Sequence, residues 1–271
     1  MFRKLLFTLT LLGTAYLPAA TITTTVQSSD PEARTLTLID GETVKVSPGD
    51  ARIGYTGRTI AGTMENTPDG ANLHTITPAN PVDLKVMAGI NKNLHRDTVQ
   101  RGRKAYRAIG EYLPELAMWD QEGRLVTRDS FMGKPHVVSF IFTRCKVAKM
   151  CPATTAKMVS LQREAKAAGL DAELVLITFD PEYDTPGVLN EYGKQRGADF
   201  ESFSFLTGDP QATENLMKQF GILTIDEDDT INHTTSTILL DDKGKFLYRK
   251  DGSGWTWEEF LERLKELNAK S

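Results

Sequence analysis

Cys145 and Cys151 are the only thiols in this chain of 271 residues, and their separation of six positions limits what they can do. Cys145 ends the run Val137–Phe142, Thr143, Arg144, and Cys151 stands directly before Pro152, where a segment of helical period opens. A thiol pair delivered to the first turn of a helix sits at the positive end of the helix dipole, which favours the thiolate. Thiolate is the form that binds a soft metal or attacks a disulfide. The intervening loop carries Lys146 and Lys149, whose charge should lower both thiol pKa values. Met150, in the same loop, is either a soft extra ligand or a packing residue. A plain structural staple is less attractive, because closing so short a loop removes little chain entropy.

A third donor would have to be one of four histidines. His136 stands at the entry to an apolar strand and reads as structural. His95 belongs to a basic, solvated stretch. His74 could pair with Met64 as a soft metal site, although isolated residues of these types are mostly structural. His233 differs: it directly precedes the apolar strand 236–240.

The elements that must position these residues fall into two parts. Residues 21–85 read as a small all-β domain, a barrel or sandwich of about five short strands. Asp40-Gly41 marks a tight hairpin, and Pro48-Gly49-Asp50, Pro68-Asp69-Gly70 and Pro78–Pro81 mark turns. Residues 86–109 read as a basic helical linker, with Asp97-Thr98 capping a helix that runs to Ile109. Residues 110–271 follow the order strand, helix, strand, two further helices, antiparallel hairpin and closing helix. That order is the one found in a thioredoxin-like α/β sandwich. In such a fold the loop before the hairpin faces the cysteine-bearing turn, which would bring His233 towards Cys145 and Cys151. Two thiolates and an imidazole suit copper in either oxidation state.

Three stretches together resemble the Sco/SenC family of copper-binding thioredoxin-like proteins. They are Phe142-Thr143-Arg144-Cys145 with Cys151-Pro152, then Phe179-Asp180-Pro181-Glu182-Tyr183-Asp184-Thr185-Pro186, and finally His233 before an apolar strand followed by Asp242-Lys243-Gly244-Lys245-Phe246. The resemblance covers about residues 110–267. It implies one copper ion, Cu(I) or Cu(II), held by Cys145, Cys151 and His233, and a metallochaperone that supplies the dinuclear copper centre of a cytochrome oxidase or matures its thiols. It also implies a copper-site oxidase subunit, or another copper acceptor, as partner, and Asp180-Pro181 at the mouth of the site. The chain departs from the family in having five residues between the cysteines rather than three. The alternative is a thiol–disulfide oxidoreductase or redox sensor working through Cys145 and Cys151 alone, with a thiol–disulfide partner.

The remaining composition sets limits. Thirty-two basic against 36 acidic residues give a net charge of −4, which argues against a nucleic-acid binder. Met1–Ala20 has Arg3 and Lys4, an apolar run Leu5–Leu17 and then Pro18-Ala19-Ala20. That layout predicts an export signal, or an uncleaved N-terminal membrane anchor, and hence a periplasmic or other extracytoplasmic protein.

Overall fold

In a computed structural model of the chain, residues 19–222, 224–227 and 230–269 are described, with the backbone alone for 224–227 and 230–233. The export-signal segment falls outside the described residues as far as position 18.

Five strands, β1 (Ala20–Asp30), β2 (Thr35–Leu38), β3 (Thr43–Lys45), β4 (Thr59–Thr67) and β5 (Gly70–Pro78), close into a barrel in the order β1-β2-β3-β5-β4. Alternation fills it: Leu36 and Leu38 point inward between outward threonines, and meet Val26, Val44, Tyr55, Ile60, Leu73 and Ile76. The Asp40-Gly41 turn carries Gly41 at φ +89°, a conformation that glycine adopts without strain.

Pro48-Gly49-Asp50 does not form a turn. It opens a short helix, α1 (Pro48–Ile53), because Ser47 accepts a hydrogen bond from the Asp50 N–H at 3.0 Å and Pro48 takes the first helical position. The proposed Met64–His74 pair also fails. Met64 lies opposite Leu73 and packs on the barrel core, whereas His74 lies opposite Thr63 and faces out beside Glu65. Neighbouring register positions point to opposite faces of a sheet.

The long helix begins earlier than the sequence pattern suggests. It is α2 (Pro81–Arg101), capped by Asn80, whose side chain accepts from the Val82 N–H. Thr98, read as a cap residue, lies inside the helix, buried, with its hydroxyl donated back to the Leu94 carbonyl. The helix expected to run to Ile109 ends instead at Arg101, and a 3-10 turn and irregular chain follow it. Nor is α2 a solvated rod, since Met87 packs on Ala117 and Trp119 and Leu94 enters the main core.

The second half holds β6 (Ala117–Trp119), β7 (Leu125–Thr127), β8 (His136–Ile141), α3 (Cys151–Ala167), β9 (Glu173–Thr178), α4 (Pro186–Gln195), β10 (Phe203–Leu206) and α5 (Pro210–Phe220). It is completed by β11 (Thr224–Glu227), β12 (Thr230–His233), β13 (Ser236–Leu240), β14 (Phe246–Asp251) and α6 (Trp257–Asn268). The main sheet runs β10-β9-β8-β13-β14, with β10, β9 and β8 parallel and β13 antiparallel to both neighbours. All six residues of β8 are buried, as a central parallel strand requires. Cover comes from α3 packed with α6, and from α5 packed with α2; Phe140 of β8 meets Phe220 of α5 edge-on.

The barrel docks on this α/β layer through α1 and α4. The backbones meet at glycines: a Cβ on Gly49 would lie 1.8 Å from the Gly187 carbonyl oxygen, and one on Gly187 would lie 2.2 Å from the Asp50 carboxylate. Beside this contact Arg52 donates to Asn190 at 3.0 Å, and Arg58 donates to the carbonyls of Glu122 and Gly123.

Candidate metal centre

The strand β8 ends at Ile141, and nine residues, 142–150, carry the chain from the sheet to α3. Cys145 is half-buried on this loop, and Cys151 is the first residue of α3, 2 % exposed. The two thiols are neighbours, with Cys145 a hydrogen-bonding and electrostatic partner of Cys151, and no disulfide joins them.

Charge at the pair runs against the expectation from helix dipole and lysines. Burial pushes the Cys151 thiol up from its usual 9.0 to about 12, and the adjacent Cys145 adds to the rise. That is about 4 kcal/mol against the thiolate, at 1.36 kcal/mol per pKa unit. A helix N-terminus returns about 0.3–1 kcal/mol. Burial wins, so Cys151 is held as a thiol at neutral pH. Lys146 and Lys149 are exposed and do not reverse this.

Two carboxylates from the loop after β9 hold the cysteine loop in place. Asp184, fully buried, accepts the Thr143 N–H at 3.1 Å, the Thr143 hydroxyl, and the Thr178 hydroxyl at 2.5 Å. Burial raises its carboxyl to about 6 even against these hydrogen bonds. Asp180 takes two bonds from the Arg144 guanidinium, at 2.6 and 3.0 Å, and donates its own N–H to the Thr178 hydroxyl. Arg144 also stacks over the Tyr183 ring, 4.5 Å from its centroid. The residues on either side of the Thr143–Arg144 peptide are thus tied to one short loop, and Cys145 follows directly. Asp180 does stand beside the site, through Arg144. The Asp184–Thr143 tie and the Arg144–Tyr183 stack are not read from the sequence; the available signal is two aspartates four positions apart behind an apolar strand.

His233 ends β12, where its backbone pairs with Thr224, and β13 begins shortly after it. Its ring lies outside the described residues, and among the described residues no three His, Cys, Asp or Glu side chains converge. His136 is buried in a structural position, bonded through Nδ1 to the Lys134 carbonyl, and burial lowers it to about 4. His95 sits on α2 beside Asn215. The donor set fits a soft ion: two adjacent, unbridged thiols, one of them kept protonated by burial, are the groups that Cu(I) takes in preference to harder cations. Copper, when bound, supplies the positive charge that makes both thiolates stable at neutral pH.

Similar proteins of known structure share the sheet and helices around this pair. A SCO1/SenC family lipoprotein from Bacillus anthracis str. Ames superposes with a TM-score of 0.55 at 28% identity, over 60% of this chain and 99% of the other. BsSco, a member of the Sco family of cytochrome c oxidase assembly proteins in which a disulfide switch has been identified, gives 0.52 at 26% identity, over 61% of this chain and 98% of the other. The fold is shared as well by Arabidopsis thaliana ScoI, solved with copper bound, with a TM-score of 0.52 at 23% identity over 60% of this chain and all of the other. These are mixed α/β, thioredoxin-like structures, and the likeness covers about three-fifths of the chain. The SCO1/SenC family model matches residues 106–268, three-fifths of the sequence, and the chain belongs to that family.

Proposed function

We propose that the chain is an extracytoplasmic copper carrier that takes one ion at Cys145, Cys151 and His233. It would deliver that ion to the copper-site subunit of a cytochrome oxidase or to another copper acceptor. The observation that carries this reading is the pair of adjacent, unbridged thiols pinned at the start of α3 by the loop after β9. Support from relatives is in their own descriptions: copper is bound in the Arabidopsis thaliana protein, and BsSco belongs to a family of cytochrome c oxidase assembly proteins. In this reading residues 21–85 form a barrel unit, 86–109 a connection and 110–271 the copper-carrying domain. The N-terminal segment serves as export signal or anchor; among the described residues no helix is long and apolar enough to cross a membrane.

The test is metal stoichiometry. Reduced protein titrated with Cu(I) in the presence of a chromophoric chelator should hold one equivalent, and Cys145→Ser, Cys151→Ser and His233→Ala should each lower that affinity. Retention of copper by all three variants overturns the assignment.

A second reading has a specific observation behind it. Cys145 is accessible and Cys151 buried, the arrangement of an attacking and a resolving thiol. The Cys145 thiolate would attack a partner disulfide and release one partner thiol. Cys151 would then displace the second, leaving the partner reduced and Cys145–Cys151 oxidised. Disulfide reduction by metal-free protein, abolished in Cys145→Ser, would favour this reading.

A further inference from the structure

The end of α2 and the chain that leaves it carry a charge opposite to that of the whole protein. Between positions 92 and 112 stand six bases, Lys92, Arg96, Arg101, Arg103, Lys104 and Arg107, against two acids, Asp97 and Glu111. That is a balance of +4 in a chain whose net charge is −4. An open cleft of about 570 Å³ lies here, and four guanidinium groups line it, those of Arg96, Arg101, Arg107 and Arg128. Two of them are committed inside the fold. Arg107 donates to Gln219, to the Tyr112 carbonyl and to Asp97, and Arg101 donates to Asp97 and Glu111. The other two keep most of their donors. Arg96 gives one bond to Asn93, and Arg128 gives one long bond, 3.4 Å, to Glu115. A guanidinium fork with open N–H groups matches the oxygens of a phosphate or a carboxylate.

The surrounding surface decides between these anions. Val99 stands one helical turn after Arg96 and is 63 % exposed, Ile109 is 54 % exposed, and Tyr112, on the cleft wall, is 46 % exposed. An acidic protein surface offers such side chains nothing, whereas a bilayer takes both kinds. Bases meet the lipid phosphates, and aliphatic and tyrosine side chains enter the boundary between headgroups and acyl chains. We infer that this cleft takes the phosphate of an anionic phospholipid and so seats the end of α2 on a membrane surface. Neither cysteine lines the cleft, so this seating is independent of what the thiols hold.

Hydrogen exchange on the full-length chain, read by mass spectrometry, reports this segment apart from any contribution of Met1–Ala20. Peptides over 96–112 should gain protection with vesicles of equal parts phosphatidylglycerol and phosphatidylcholine, and none with phosphatidylcholine alone. Arg96→Gln combined with Arg128→Gln should leave the thermal midpoint unchanged. It should raise the lipid concentration for half-protection about 25-fold, roughly fivefold for each base removed. Val99→Ser should raise that concentration as well, with the preference for phosphatidylglycerol kept. Equal protection on both vesicle types, or undiminished protection in the double variant, overturns the inference. So does glycerol 3-phosphate giving the same protection at the same phosphate concentration, which would mean a soluble phosphate ligand. No protection on either vesicle also overturns it, and would leave an acidic protein as the occupant.

Discussion

Replacing Asp184 by Asn changes one carboxyl oxygen to an amide and separates two effects that pH can tell apart. Asp184 is harder to ionise in the folded chain, near 6, than in the unfolded chain, near 3.8. Across that interval the folded state binds more protons than the unfolded state, so this group's contribution is fully present below about pH 3.8 and is lost as pH rises through 6. The difference of about 2.2 in pKa corresponds to about 3 kcal/mol, of which about 2 kcal/mol falls between pH 4.5 and 8. The amide in Asp184→Asn does not titrate and loses none of it. Asn does, however, turn an N–H₂ towards Thr143, whose N–H and hydroxyl both point at the carboxyl. A buried donor left facing another donor costs about 1–3 kcal/mol at any pH. Urea unfolding of the two proteins should therefore show Asp184→Asn clearly less stable at pH 4.5, with the gap about 2 kcal/mol smaller at pH 8. Asp50, which burial also raises to about 6, titrates in both proteins and cancels in the comparison. A gap that stays constant with pH, or widens towards pH 8, would refute the claim that a buried carboxylate fastens the cysteine loop.

Three other outcomes follow from the same structure. His136, lowered to about 4, should stay neutral in an NMR titration down to that pH, and as pH falls from 6.5 to 4 the fold should lose up to about 3 kcal/mol to proton uptake by the unfolded chain; a midpoint near 6.5 would contradict the burial. Gly187→Ala pushes a methyl into the Asp50 carboxylate and should lower stability by about 1–3 kcal/mol. Gly89→Ala, on the exposed face of α2 with open space around it, should raise stability by roughly 0.5–1 kcal/mol in the same melt, and equal shifts would discount the α1–α4 contact. Iodoacetamide at neutral pH should label Cys145 well before Cys151, read by peptide mass spectrometry, because Cys145 is only half-buried, whereas Cys151 is covered and kept protonated by burial; simultaneous labelling would mean that the start of α3 opens readily.

The parts of this fold written in local pattern are readable. Val137–Phe142 announces a central strand because it is apolar without alternation, and Leu36–Leu38 announces a half-buried one because it alternates. The thiol pair and its helix follow from Pro152. What escapes the sequence is non-local. Thr143 meets Asp184 across 41 positions and Arg144 meets Asp180 across 36, and no window on the sequence spans them. Pro48-Gly49-Asp50 reads as a turn until Ser47 is seen to cap it. The hairpin β11–β12 is hidden because Asp226 to Asp229 breaks any apolar period with four acids and supplies no Gly or Pro to mark the turn. The Cys151 perturbation has the opposite sign to the expected one for a related reason: a helix N-terminus is visible in sequence, whereas the 2 % exposure that outweighs it is a property of the packed core.

These long-range ties form one mechanical sequence from the barrel to the sulfurs. Gly187 of α4 is pressed by α1 from one side, and three residues before it Asp184 holds Thr143 from the other. A chain segment fixed at both ends by backbone contact and buried hydrogen bonds has little room to shift independently, because packed interiors resist small displacements. The loop from Arg144 to Met150 is therefore anchored firmly at Thr143 and at the first turn of α3, while its middle, Lys146 to Lys149, is exposed. Cys151 lies at one anchor, and Cys145 lies directly beside the other, at the edge of the exposed stretch. The five residues between the cysteines thus lengthen the exposed stretch and leave both anchors where they are.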